Sequence, residues 1–200
     1  MNKAAAAAAL AFVLSVPAMA DDGLSCGDIP EARQLALQGD TTAMVAMGAV
    51  YYYGRCFPRD YSEAARWYRM AAERGDADAE LLIGNAYMNG EGVPRDYAKA
   101  ASWFRLSAEQ GNKYSQYLLG LAYYNGQGVR KNYGESVRWV RKSAEQGYAK
   151  AQSYMGLFYG MGYGVRTDAD EAERWLRLAC GNGSRESCYV LDEVRKGLRR

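Results

Sequence analysis

Residues 76–111 read DADAELLIGNAYMNGEGVPRDYAKAASWFRLSAEQG, and this stretch decides the fold because its pattern recurs along most of the chain. Leu82, Ile83, Ala86 and Tyr87 fall at helical spacing, which predicts a first helix. Gly90-Glu91-Gly92-Val93 breaks it, since glycine enters positive φ without a steric penalty. Pro94 and Asp96 lead into a second helix that carries Ala100, Trp103 and Ala108 and ends at Gly111. Moving outward in steps of 36 residues, Trp67, Trp103, Trp139 and Trp175 coincide. So do Gly48, Gly84, Gly120 and Gly156, and Tyr51, Tyr87, Tyr123 and Tyr159. The register defines four units, 40–75, 76–111, 112–147 and 148–183, each predicted as a helix pair A and B. Residues 21–39 match the second half of a unit and 184–200 begin like the first half of another, so both ends are expected to cap a stack.

Composition narrows the chemistry. The 200 residues are 49% hydrophobic and 24% charged, and 25 Lys and Arg against 23 Asp and Glu leave a net charge of +2, which makes no case for nucleic acid. There is no histidine, so Ser-His-Asp and Cys-His catalysis and histidine-ligated zinc are excluded together. Lys3, the apolar run Ala4–Val16 and Ala18-Met19-Ala20 predict a signal peptide over 1–20, cleaved after Ala20, and hence a periplasmic or secreted protein. No other apolar stretch is long enough to span a bilayer. An exported chain with four cysteines is expected to form disulfides, and on count alone three pairings are open.

The pattern Ala79-x-x-x-Ile83-Gly84-x-x-Tyr87-x-x-Gly90-x-Gly92-Val93-x-x-Asp96-x-x-x-Ala100-x-x-Trp103-x-x-x-x-Ala108-x-x-Gly111 resembles the Sel-one-like repeat, a relative of the tetratricopeptide repeat. The resemblance implies an all-α fold, a right-handed α-solenoid of stacked helix-turn-helix units. In register, Cys56 replaces the second loop glycine of the first unit, Phe57 replaces the valine, and Cys26 falls beside that loop. Cys180 replaces the alanine of Ala72, Ala108 and Ala144, and Cys188 lies on the next helix A, as in the cysteine-rich branch of the family. The expected pairs are Cys26–Cys56 and Cys180–Cys188, each contributing roughly 2–4 kcal/mol by loop closure.

In this superfamily the A helices line a concave surface. Their positions 6, 10 and 13 read Val45, Ala49, Tyr52; Leu81, Asn85, Met88; Tyr117, Leu121, Tyr124; Ser153, Leu157, Gly160. From this stripe Tyr52, Leu81, Met88, Tyr117, Leu121, Tyr124 and Leu157 are the candidate partner-binding residues, with packing between neighbouring A helices as the competing reading. The resemblance therefore implies an adapter that binds another envelope or secreted protein; with no histidine for catalysis or zinc, it is expected to be non-enzymatic, to need no cofactor or metal and to be a monomer. An immunity protein that neutralises an antibacterial effector such as a lipase is the alternative, and β-lactam binding or hydrolysis a weaker one.

The residues themselves favour structure over catalysis. The repeated Gly-x-Gly lies between helices, without a preceding strand or a following Gly-Lys-Ser/Thr, and so reads as a turn rather than a phosphate cradle. No serine is followed by lysine three residues on, as a penicillin-recognising serine enzyme requires. Asp60, Asp96 and Asp168 share one repeat position, where helix capping is expected. Arg69, Arg105, Arg141 and Arg177, with Arg66, Arg138 and Arg174, read as a solvated face with partners such as Glu63 and Glu173, and the tyrosine column reads as core. The oxidised protein is expected to give a helical circular-dichroism spectrum that chelator leaves unchanged, and to leave a chromogenic β-lactam intact. Turnover abolished by one carboxylate or serine substitution overturns this.

Overall fold

The computed structural model describes residues 24–197, which form ten α-helices; the signal segment expected over residues 1–20 lies outside them. No strand occurs among the described residues. One compact unit ends at Asp96 and holds α1 (Ile29–Leu37), α2 (Thr41–Tyr53), α3 (Tyr61–Ala72) and α4 (Ala77–Asn89). The other begins at Tyr97 and holds α5 (Tyr97–Glu109), α6 (Lys113–Asn125), α7 (Tyr133–Glu145), α8 (Ala149–Met161), α9 (Ala169–Gly181) and α10 (Arg185–Gly197). Within each unit every helix packs against the next along the chain, the arrangement of an α-solenoid built from helix pairs. Among the described residues no helix is long and apolar enough to cross a membrane.

Local chemistry marks each helix end. The side chains of Asp40, Asp76 and Asn112 accept from the first free N–H groups of α2, α4 and α6, whereas Tyr148 opens α8 without a side-chain cap. Asp60 and Asp168 cap α3 and α9 as expected, and Asn132 does the same for α7. Every A helix ends on a left-handed glycine, Gly54, Gly90, Gly126 or Gly162, with φ between 69° and 79°. The turn then closes: the N–H of Asp60, Asp96, Asn132 and Asp168 donates to the carbonyl of Tyr51, Tyr87, Tyr123 and Tyr159 at 2.9–3.0 Å.

The helical glycine column is a packing device. A Cβ on Gly48 would meet the Tyr68 ring, one on Gly120 would meet Val140, and one on Gly156 would meet Leu176. Helix A thus presents a notch into which its own helix B inserts a side chain, and Met44, Met47, Ile83, Leu119, Met155 and Phe158 fill the fully buried interior around these crossings.

The ends depart from the repeat for identifiable reasons. The register of Tyr61 would start α1 at Ser25, yet it starts at Ile29, because Pro30 is tolerated only in a first turn. Cys26 therefore sits in a turn ahead of the helix, and it is bonded to Cys56, with Cα atoms 5.5 Å apart. Cys56 has φ 64°, the conformation of the loop glycines it replaces. Cys180 on α9 is bonded to Cys188 on α10, with Cα atoms 4.8 Å apart.

Two glycines of one unit give a direct test. Gly128 has φ 73°, and a Cβ there would land on the carbonyl of Tyr97; Gly111 has φ 99° and open space around it. Gly128→Ala is expected to cost about 3 kcal/mol, backbone strain plus displacement of α5, and Gly111→Ala about 1 kcal/mol from strain alone. Urea unfolding of both variants measures the difference.

Candidate interaction surface

The helix A stripe divides between the two units. In the first, Tyr52 on α2 and Leu81 and Met88 on α4 are half-buried. Tyr52 lies edge-on to Tyr53 and Tyr61, with ring centroids 5.1 and 5.2 Å away, and its hydroxyl donates to Glu91 Oε2 at 3.2 Å. Val45, on the same stripe, is buried core.

In the second unit the structure brings Tyr117 and Tyr124 of α6 together through one ring. Tyr154 of α8 stands 5.6 Å from Tyr117 and 6.2 Å from Tyr124. Tyr117 also meets Tyr148 at 5.2 Å, and Tyr124 meets Phe158 and Tyr163, each at 5.7 Å. Tyr133 stacks on Tyr163 at 5.0 Å, and the Lys131 ammonium lies 4.8 Å from the Tyr133 ring. Such edge-to-face and stacked pairs add about 0.5–1.5 kcal/mol each beyond the area they bury. Leu121 is half-buried on α6, and Leu157 is exposed on α8. Tyr117 and Tyr124 pack against the core formed by Val140, Met155 and Phe158, so the competing reading of the stripe holds for part of each ring while its outer part borders solvent.

Tyr148, Tyr154 and Tyr163 were not singled out from the sequence. A signal existed: Tyr148 and Tyr163 interrupt columns that otherwise read Asp40, Asp76, Asn112 and Arg55, Glu91, Gln127. Burial pushes the Tyr117 and Tyr148 phenols above their ordinary value, and neighbouring tyrosines add to the effect. Tyr52 is pushed up to about 12, by burial first and by the Glu91 carboxylate second.

The arginine column needs a correction. Arg66, Arg138, Arg174 and Arg177 pair locally with Glu63, Glu135, Glu171 and Glu173, as a solvated face would. Arg69, Arg105 and Arg141 instead donate to the hydroxyls of Tyr87, Tyr123 and Tyr159 at 3.0, 2.6 and 2.8 Å. Each bond joins helix B of one repeat to helix A of the next, and it satisfies the phenol of a buried (Tyr87) or half-buried (Tyr123, Tyr159) side chain with a charged donor. Two polar chains run beside it in the second unit. Gln146 donates to Gln116, which donates to the Ala108 carbonyl; Asn182 donates to Gln152, which donates to the Ala144 carbonyl. Among the described residues no group of three or more Cys, Asp or Glu side chains is placed to hold a metal.

The Sel1 repeat family model matches residues 41–76, 77–112, 113–148 and 149–184. Among solved structures, a protective antigen of uropathogenic Escherichia coli displaying an SLR fold is 39% identical over 80% of this chain, with a TM-score of 0.78. A Sel1 repeat protein from Oxalobacter formigenes is 31% identical over 81% of the chain, with a TM-score of 0.75. The chain covers 34% of the first of these proteins and 66% of the second. An immunity protein from Pseudomonas aeruginosa, 19% identical over 94% of this chain and 69% of its own, shares the fold at a TM-score of 0.56. No curated protein matches.

The buried phenols carry a pH signature. Their folded-state values lie above the ordinary 10.0, so the folded protein keeps protons that the unfolded chain releases. The stability they contribute is complete below pH 10 and is lost as pH rises through the folded values, about 12 for Tyr52. Urea unfolding at steps between about pH 9 and 12 is expected to show falling stability, with a shallower fall in Tyr117→Phe.

Proposed function

The chain belongs to the Sel1 repeat family, a family of protein-interaction scaffolds, and from that premise we propose that it is an exported, non-enzymatic adapter that binds another envelope or secreted protein through its helix A faces. The observation that carries the reading is the second unit's tyrosine ladder, in which Tyr117 and Tyr124 are braced by neighbouring rings, with Leu121 half-buried and Leu157 exposed at the same stripe of helix positions. Rigid tyrosines supply contact area at little entropic cost, which suits them to docking. Tyr52, Leu81 and Met88 are assigned the same role in the first unit. Two disulfides support an oxidising compartment, and the apolar segment ending at Ala18-Met19-Ala20 supports export. The absence of histidine from the chain supports a role without imidazole-dependent catalysis or histidine-ligated metal.

A second reading takes the name of the Pseudomonas immunity protein together with its shared fold: the same faces would hold a secreted antibacterial effector. Survival of a deletion strain under attack by its own kin removes this reading.

Capture from an envelope fraction with the wild-type protein and with Tyr117→Ala/Tyr124→Ala tests the adapter. One partner is expected to be retained by the wild type and lost, by about tenfold or more, from a double variant whose helical spectrum is unchanged. Equal recovery of every captured protein overturns the assignment of the face.

A further inference from the structure

The first unit holds a pocket that the repeat does not need. Its volume is about 380 Å³, and its lining includes Tyr52, Tyr53, Tyr61, Tyr68, Asn85 and Glu91. Three of these break their columns. Where the chain has Tyr53 the other repeats have Asn89, Asn125 and Met161; where it has Tyr68 they have Phe104, Val140 and Leu176. Glu91 stands where they have Arg55, Gln127 and Tyr163. The Tyr68 ring fills the Gly48 notch as its counterparts fill theirs, but those repeats fold without its hydroxyl, without a phenol at 53 and without a carboxylate at 91, so these groups are not explained by the stacking of helices.

The geometry is that of a box. The Tyr52 ring meets Tyr53 at 83° and Tyr61 at 65°, so three rings stand as adjoining walls rather than as one flat platform. Tyr68 is buried at the bottom, in the notch left by Gly48. Glu91 closes one side, held by the bond from the Tyr52 hydroxyl to Oε2 and by its own N–H donating to the Ala86 carbonyl at 3.0 Å. Among the described residues the lining contains no lysine or arginine. Ring faces are negative and the one charged lining group is a carboxylate, so the lining itself favours a compact cation over an anion. The outer rings already take cations from the chain itself: the Arg55 guanidinium lies 5.5 Å from the Tyr53 ring and that of Arg59 lies 5.8 Å from Tyr61, both outside the pocket lining. A sugar, which stacks its flat face on a single ring, fits perpendicular walls less well.

We propose that the pocket formed by Tyr52, Tyr53, Tyr61, Tyr68 and Glu91 binds an alkylammonium group. The group is either the head of a small amine or the end of a lysine side chain. Tyr52 belongs also to the partner-binding stripe, but the cation site stands whether or not that stripe takes a partner, because it is complete within one unit and its probes are small molecules.

The test titrates the full oxidised chain with choline, with Nα-acetyl-lysine methylamide and with 3,3-dimethylbutanol, the neutral counterpart of choline, and reads tyrosine ring shifts by NMR. At least one cation is expected to bind about tenfold tighter than the alcohol, the size of one desolvated cation–π contact, and to lose about tenfold in Glu91→Gln and in Tyr53→Ala. Tyr189→Ala, at an exposed tyrosine of α10 in the other unit, is expected to bind as the wild type does. Tighter binding of choline assigns the site to a small quaternary amine, and tighter binding of the lysine derivative assigns it to a partner's side chain. The proposal is overturned if neither cation saturates by about 10 mM, if the alcohol binds equally well, or if Glu91→Gln, shown folded by its helical spectrum, binds unchanged. Preferential binding of a neutral N-acetylglucosamine oligomer at the same tyrosines overturns it too.

Discussion

The turn between the two helices of each repeat is the constraint on which the other contacts depend. A left-handed glycine ends helix A, and the carbonyl of the tyrosine column accepts the N–H of the residue that opens helix B. Two residues past the first glycine, Gly92, Gly128 and Gly164 bring the loop against the opening turn of the preceding helix B, where a Cβ would strike the carbonyl of Tyr61, Tyr97 or Tyr133. One loop therefore sets both the angle within a repeat and the spacing to the repeat before it. In the first repeat the same place is taken by Cys56. There α1 starts late, the opening turn of a helix B is missing, and the bond to Cys26 replaces the close backbone contact.

Once the spacing is set, polar groups can be paired across repeats. The bonds from Arg69, Arg105 and Arg141 to Tyr87, Tyr123 and Tyr159 span the same interval each time, and Arg177, after which no such tyrosine follows, turns to Glu173 on its own helix. The tryptophans show the converse. Among the described residues no side chain or carbonyl accepts from the buried indole N–H of Trp67, Trp139 or Trp175, so packing of the ring is what holds these side chains. The rings also face cations: the Lys142 ammonium lies 4.6 Å from Trp139, and the Arg174 guanidinium lies 4.9 Å from Trp175.

A repeat protein shows its individual features where a column is broken. In the second unit Tyr148, Tyr154 and Tyr163 fill the spaces around Tyr117 and Tyr124 and turn a stripe of separate side chains into one connected aromatic surface. In the first unit Tyr53, Tyr68 and Glu91 do something different, lining a pocket instead of covering a face. Tyr53, Glu91, Tyr148 and Tyr163 are tolerated because helix ends and loop tips carry little of the packing load, which falls on the buried aliphatic side chains and on the glycine notches, one of which Tyr68 itself fills.

The sequence by itself determined the helix pairs, their period, their capping aspartates and the glycine turns, because these are local matters of φ, hydrogen-bond donors and helical spacing repeated often enough to be seen. It also carried the tyrosine and arginine columns without showing that they meet. Arg105 and Tyr123 lie on different helices, and a period describes where residues recur, not which atoms approach across a crossing. The opposite assignment, arginine to nearby glutamate, was the natural local one, and it holds only for arginines such as Arg66 and Arg174 whose carboxylate is on the same helix face. Likewise Leu157 and Tyr117 share a stripe in sequence, yet one is exposed and the other is wedged among rings. Only the tertiary structure decided this, because exposure and ring geometry depend on the side chains that neighbouring helices bring alongside.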